Sequence, residues 1–387
     1  MSTGPVDAAG EAGAASAEHG AVAGLRRLLI ERRVVVCAGA GGVGKTSTAA
    51  ALAIEAAAEG RRVVVLTIDP ARRLADALGL SGLPNVPHRI DGPWPGELHA
   101  TMLDTRATFD ELVARHAAGP DQVERILSNR FYRNISHALS GTQEYMAAEK
   151  LYELHASDRF DLIVVDTPPT RQALDFLDAP EQLARFLDHR VYRLLTGSGG
   201  VWSKTVGRAA TAVLRTAGRL VGTAVLDEAV AFFAAFEGME AGFRDRAGEV
   251  RTLLRSPRTA FVVVAGPQAD TVTEAKFFLD RISAEGVALG AIVANRLLPR
   301  FGPERIDTLE AAAVRHAGTG LGELFANLAE LTAAADAEDR IVGQLAVRTA
   351  PDPAAPPVPL IRVPLLDGDV HDLGTLDQLR SHLFGRA

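Results

Sequence analysis

Cysteine is nearly missing from this chain. Cys37 is the only one in 387 residues, which excludes an intramolecular disulfide framework and any cysteine-clustered zinc site within one chain. A reducing compartment fits that usage. Lysine is scarce too: Lys45, Lys150, Lys204 and Lys276 are the four among 41 basic residues, so each invites a reason for its presence, although GC-rich coding would favour arginine, alanine and glycine throughout. No run of about 18 uninterrupted apolar residues occurs, and the N-terminus lacks the basic and apolar regions of a signal peptide, so neither membrane spanning nor secretion is indicated. The expectation is a soluble cytoplasmic protein. Positive charge is not in excess either: 48 acids against 41 bases leave a net charge of −7 and no electrostatic case for nonspecific nucleic-acid binding. What is present, 47% hydrophobic and 23% charged residues, excludes a wholly disordered, collagenous or coiled-coil chain. The length allows one large domain or two ordinary ones.

Residues 1–20 are Ala, Gly, Ser and acid without periodicity and read as a mobile, disordered tail, so the folded chain is expected over 21–387. From there, short β-branched runs alternate with longer helical patterns, the signature of a parallel sheet covered on both faces. The runs are Val34 to Ala38, Val63 to Ile68, Leu98 to Leu103, Leu162 to Val165, Phe261 to Ala265, Ala291 to Ala294 and Leu360 to Val363. Most are apolar on both faces, as buried parallel strands should be. Residues 105–159 and 181–257 hold no strand candidate and much helical pattern, so they read as a helical insertion. The stretch 350–359 is too proline-rich for a helix or a central strand and reads as an extended connector. No internal repeat is found.

The strongest motif is Gly39-Ala40-Gly41-Gly42-Val43-Gly44-Lys45-Thr46, which satisfies G-x-x-x-x-G-K-[ST] with a strand before it and a helical pattern after it. The composition has a chemical reason. Glycines let backbone N–H groups wrap phosphates, the helix N-terminus at Thr46 and Ser47 adds a positive dipole, Lys45 reaches the β and γ phosphates, and Thr46 ligates Mg²⁺. The fold class that follows is α/β, a P-loop NTPase with a mostly parallel central sheet flanked by helices and an inserted helical subdomain. Cys37, just before the loop, reads as a buried small hydrophobe rather than a nucleophile.

Hydrolysis also needs carboxylates at the C-terminal ends of neighbouring strands. Two candidates sit there: Asp69, closing Val63 to Ile68, and Asp166, closing Leu162 to Val165. Either alone could be a turn former or helix cap; beside the loop the pair points to Mg²⁺ and water. Asn295 closes the run Ala291 to Ala294, where its amide can pair with an adenine or guanine edge or simply form a turn. No Asp follows two residues later, so the guanine pattern N-K-x-D is incomplete and the reading leans toward adenine.

Taken together, the loop GAGGVGKT, the segment Asp69-Pro-Ala71 with Leu74 and Asp76, the segment DTPPT with Leu174 and Phe176-Leu177, Asn295, and Val363-Pro-Leu-Leu366 resemble the arsenite-pump ATPases and the tail-anchored-protein targeting ATPases of the guided-entry pathway, in family order over about residues 25–387. The resemblance implies a dimer that closes on ATP and Mg²⁺. It also implies Asp69 orienting the attacking water, Asp166 supporting the metal, and Asn295 with Pro364 contacting adenine.

The departures from that pattern matter as much. Family members carry a signature lysine near the start of the loop, and here the position is Ala40. That lysine reaches the partner's phosphates much as an arginine finger does, so this chain cannot donate it. The preferred assembly is therefore a hetero-oligomer with a paralogue that retains the lysine, although Arg72 or Arg73 is an alternative cation. Arg171 and Gln172 replace a Gly-His pair in the second switch, which leaves open a nucleotide-binding regulatory or structural subunit with little hydrolysis. Between His189 and Leu226 six basic residues and no acid occur, with Lys204, Arg208, Arg215 and Arg219 on one helical stripe and apolar residues opposite; Phe232, Phe233 and Phe236 follow on another helical face. This is either a packed helical subdomain with a solvated basic face or a surface for a hydrophobic client or an anionic membrane.

Overall fold

The computed structural model describes residues 7–69, 73–130, 132, 142–168, 179, 228, 231, 232, 234, 235, 238–346 and 358–386. In chain order the elements are α1 (Asp7–Glu31), β1 (Val34–Gly39), α2 (Lys45–Ala58), β2 (Arg62–Thr67), α3 (Arg73–Ala77), β3 (His88–Ile90), β4 (Glu97–Met102), α4 (Thr105–His116), α5 (Pro120–Leu127), α6 (Thr142–Ala156), β5 (Leu162–Asp166), α7 (Glu240–Leu254), β6 (Thr259–Ala265), α8 (Ala269–Ala284), β7 (Leu289–Leu297), α9 (Ile306–Arg315), α10 (Gly320–Ala346), β8 (Leu360–Pro364) and α11 (Leu373–Leu383). Helix α1 begins inside the stretch expected to be a mobile tail. Its alanine-rich composition favours helix even without apolar periodicity.

The chain divides into two compact units. One comprises Met1–Met102, Asp158–Ala173 and Arg255–Ala387 and holds the whole sheet; the other comprises Leu103–Ser157 and Leu174–Leu254, and its described elements are all helical. Among the described residues no helix is long and apolar enough to cross a membrane.

The sheet has the order β3-β4-β2-β5-β1-β6-β7-β8. Every neighbouring pair is parallel except β3 with β4. This is the α/β fold of P-loop NTPases, a mostly parallel sheet flanked by helices. The central strands β1, β5 and β6 are buried along their full length, as helices on both faces require. Strand β3 has no counterpart among the apolar runs. It is a three-residue edge strand, His88-Arg89-Ile90, exposed at its first two positions, and only antiparallel pairing to β4 defines it.

Strand β1 lies between β5 and β6, with β2 and β4 on one side and β6, β7 and β8 on the other. The chain thus reverses its direction of growth beside β1. In open parallel sheets, ligands occupy the crevice at the carboxyl ends of the strands at such a point. Behind that crevice α2 is almost wholly buried, its alanines allowing close approach to the sheet. Glu55 on α2 is fully buried and pairs with Arg380 at 2.9 Å, Arg386 at 3.0 Å and Arg26 at 3.3 Å. One carboxylate therefore gathers arginines from the first helix, the last helix and the residues beyond it.

Candidate functional site

The loop leaves β1 at Gly39, where a Cβ would overlap the carbonyl oxygen of Val264 on β6. No larger residue fits between those strands. Gly41 and Gly42 are exposed, Val43 is buried against the core, and Gly44 turns the chain into α2 with φ of 93°, a left-handed conformation that suits glycine. Lys45 opens α2, so the first amides of the helix, including those of Thr46 and half-buried Ser47, lack intrahelical partners and are the donors a helix start offers to an anion. The Lys45 ammonium is itself buried and donates to the Ala40 carbonyl at 2.8 Å. Burial lowers its pKa, while the charges of Asp166 and Asp69 oppose that shift.

Asp166 ends β5 and stands in register with Cys37 on one side and Thr67 on the other. It is fully buried. Its Oδ2 accepts from Thr46 Oγ1 at 2.9 Å and from Thr67 Oγ1 at 3.0 Å, whereas its Oδ1 is buried without a hydrogen-bond partner. Burial pushes the carboxyl up to about 6; the bonds from the two threonines and the Lys45 charge pull the other way. A hydroxyl and an orphaned carboxylate oxygen where the phosphate loop enters α2 are hard oxygen donors, and they fit a hard cation such as Mg²⁺. Asp69 lies two residues past β2, half-buried, and its charge acts on both Lys45 and Asp166. Cys37 is buried, and desolvation together with the Asp166 charge raises its thiol far out of the reactive range.

On the other side of the loop, Asn295 is buried near the end of β7 and donates from Nδ2 to the Val43 carbonyl at 2.8 Å. One of the two amide hydrogens is thus committed to the loop, which leaves the other and Oδ1 to meet a ligand. Pro364, half-buried, ends β8 in register with Leu297.

The structure bonds Thr46 to Asp166, places the Lys45 ammonium within the field of that carboxylate and sets Asn295 against the loop. Two further residues were not expected from sequence: Thr67, which braces Asp166, and Arg296, whose Nη1 donates to the Gly42 carbonyl at 3.0 Å. Neither carries a motif; a place two residues before Asp69 and one next to Asn295 were the only available signals. Ala40 is buried, and Arg73 is exposed at the start of α3. Arg72, Arg171, Gln172, Phe233, Phe236, the basic stripe from Lys204 to Arg219 and most of the proline-rich connector lie outside the described residues.

A family model described as anion-transporting ATPase matches residues 32–315. ATPase get3 of Aspergillus terreus is 28% identical over 275 residues, covering 70% of this chain and 75% of that relative. ATPase GET3 of Ajellomyces dermatitidis is 28% identical over 281 residues, covering 71% of this chain and 76% of the relative; the same figures hold for ATPase GET3 of Blastomyces gilchristii.

Proposed function

From the premise that this chain belongs to the anion-transporting ATPase family and is an ATPase of that kind, we propose that it binds ATP with magnesium at the Gly39–Thr46 loop and couples binding and hydrolysis to a change in the geometry of a dimer or higher assembly. The observation that carries this reading is the hydrogen bond from Thr46, in the first turn of α2, to Asp166 at the end of β5, with the Lys45 ammonium buried beside the loop within the field of Asp166. Lys45 neutralises charge on the β and γ phosphates. Thr46 and Asp166 would hold the cation. Bound magnesium would spread the charge that develops on the transferring phosphoryl group. Asp69 orients the attacking water, and Asn295 with Pro364 meets the adenine. The client is a hydrophobic protein segment, on the strength of the amphipathic pattern from Lys204 to Arg219, and the compartment is the cytoplasm.

Calorimetric titration of MgATP tests the loop assignment: Lys45→Ala abolishes binding, and near-normal affinity in that variant would reject it. Asp69→Asn retains ATP but loses turnover by about 100-fold or more, the scale of a group that handles the attacking water; undiminished hydrolysis would remove Asp69 from the mechanism.

Ala40 favours a second reading. A chain with no lysine at that position serves as a nucleotide-binding subunit with little hydrolysis of its own, completed by a paralogue that supplies the cation in trans.

A further inference from the structure

Neighbouring residues on a strand ordinarily send their side chains to opposite faces of the sheet. Asn295 and Arg296 are neighbours on β7, yet both reach the phosphate loop, at the consecutive carbonyls of Val43 and Gly42. Two backbone features bring this about. The register between β7 and β8 shifts between Ala294 and Leu297, and Arg296 holds φ of 65°, a left-handed conformation uncommon for a residue with a side chain. The other described non-glycine residue with positive φ, Asp158, sits in a turn. Strained backbone inside a strand persists only where its surroundings hold it, and it concentrates at ligand sites.

The chemistry of the side chain says what it is held for. Arg296 is exposed, and among the described residues no carboxylate pairs with it; its guanidinium is tied at one edge to the Gly42 carbonyl. A planar cation fixed at its edge and open on its face is a surface for an aromatic ring. It stands beside the amide whose free oxygen can read a base edge. We propose that Arg296 is the stacking shelf of the nucleotide site, its guanidinium lying against the face of the purine whose edge Asn295 meets. The proposal rests on the nucleotide reading of the same site. It adds affinity for the base as a ring, leaving the choice between purines to Asn295.

The test separates base from phosphate. MgATP and magnesium tripolyphosphate are titrated calorimetrically into the full chain and into Arg296→Gly, chosen because glycine adopts φ of 65° freely. Losing a partly desolvated cation–ring contact weakens MgATP about tenfold, while tripolyphosphate, which has no base, binds the variant as it binds the parent. Arg296→Asn, also tolerant of left-handed backbone, gives the same split. Equal weakening of both ligands would show that Arg296 only braces the loop, and unchanged MgATP affinity would show that it does nothing for binding; either result overturns the proposal. Lys45→Ala loses both ligands and reports on the phosphate loop alone. A parent chain that binds neither ligand would remove the nucleotide reading itself.

Discussion

At residue 44 a single methyl group would meet two obstacles, a φ of 93° and the amide nitrogen of Asn295. Gly60 has nearly the same backbone, φ of 85°, with open space where its Cβ would stand. The pair separates strain from contact. Gly60→Ala costs about 1–2 kcal/mol in urea unfolding, the penalty of left-handed backbone, and leaves ligand affinity alone. Gly44→Ala carries the same strain and also displaces Asn295 from Val43, so MgATP affinity falls by at least about tenfold, the equivalent of one lost buried hydrogen bond. Equal affinity in the two variants would show that the Asn295 contact is idle. Lys45, Thr46 and Asp166 were legible in the sequence because their chemistry is written locally, in a motif and at a strand end. Thr67 and Arg296 were not. Thr67 acquires its role only through the register that sets it beside Asp166, and Arg296 only through one dihedral angle; neither quantity has a composition signature.

The strands were legible where burial on both faces forced a continuous apolar run, as in Val34 to Gly39 and Thr259 to Ala265. That rule fails at the sheet edge, where His88-Arg89-Ile90 is exposed and needs no such run. The helices hide a different feature. Glu55 looks like an ordinary interruption of the alanine-rich α2, yet it is fully buried and fixes α2 to α1 through Arg26 and to α11 through Arg380. A buried carboxylate survives because cations surround it, and loss of a member of such a group is costly. Glu55→Gln should lower stability by about 3 kcal/mol, less than the worst cases of this class because Arg26 and Arg386 can return to solvent. Urea unfolding measures it. A change under about 0.5 kcal/mol would mean that the arginines are held by other contacts and that Glu55 is dispensable.

For the molecule as a whole, the proposed dependence on a paralogue turns on Ala40. Its side chain is buried and its carbonyl already takes the Lys45 ammonium, so the loop offers no second cation of its own. The paralogue reading therefore predicts a difference between separate and mixed subunits. This chain combined with a paralogue that carries lysine at the equivalent position should hydrolyse ATP at least about tenfold faster than the sum of the two alone, since a cation supplied in trans is worth that and more. Light scattering on the same mixture should show one species heavier than either partner. Simple additivity in rate and mass would favour a self-sufficient ATPase.

The three arginines around Glu55 also impose an order on the birth of the protein. Arg26 is made before the phosphate loop, but Arg380 and Arg386 are made only after the whole sheet. Until then the helix behind the loop holds a carboxylate against one cation instead of three, and its outer face waits for α11. The part of the sequence most easily recognised thus reaches its final surroundings late, and a chain cut before α11 is left with an intact motif on an unfinished support.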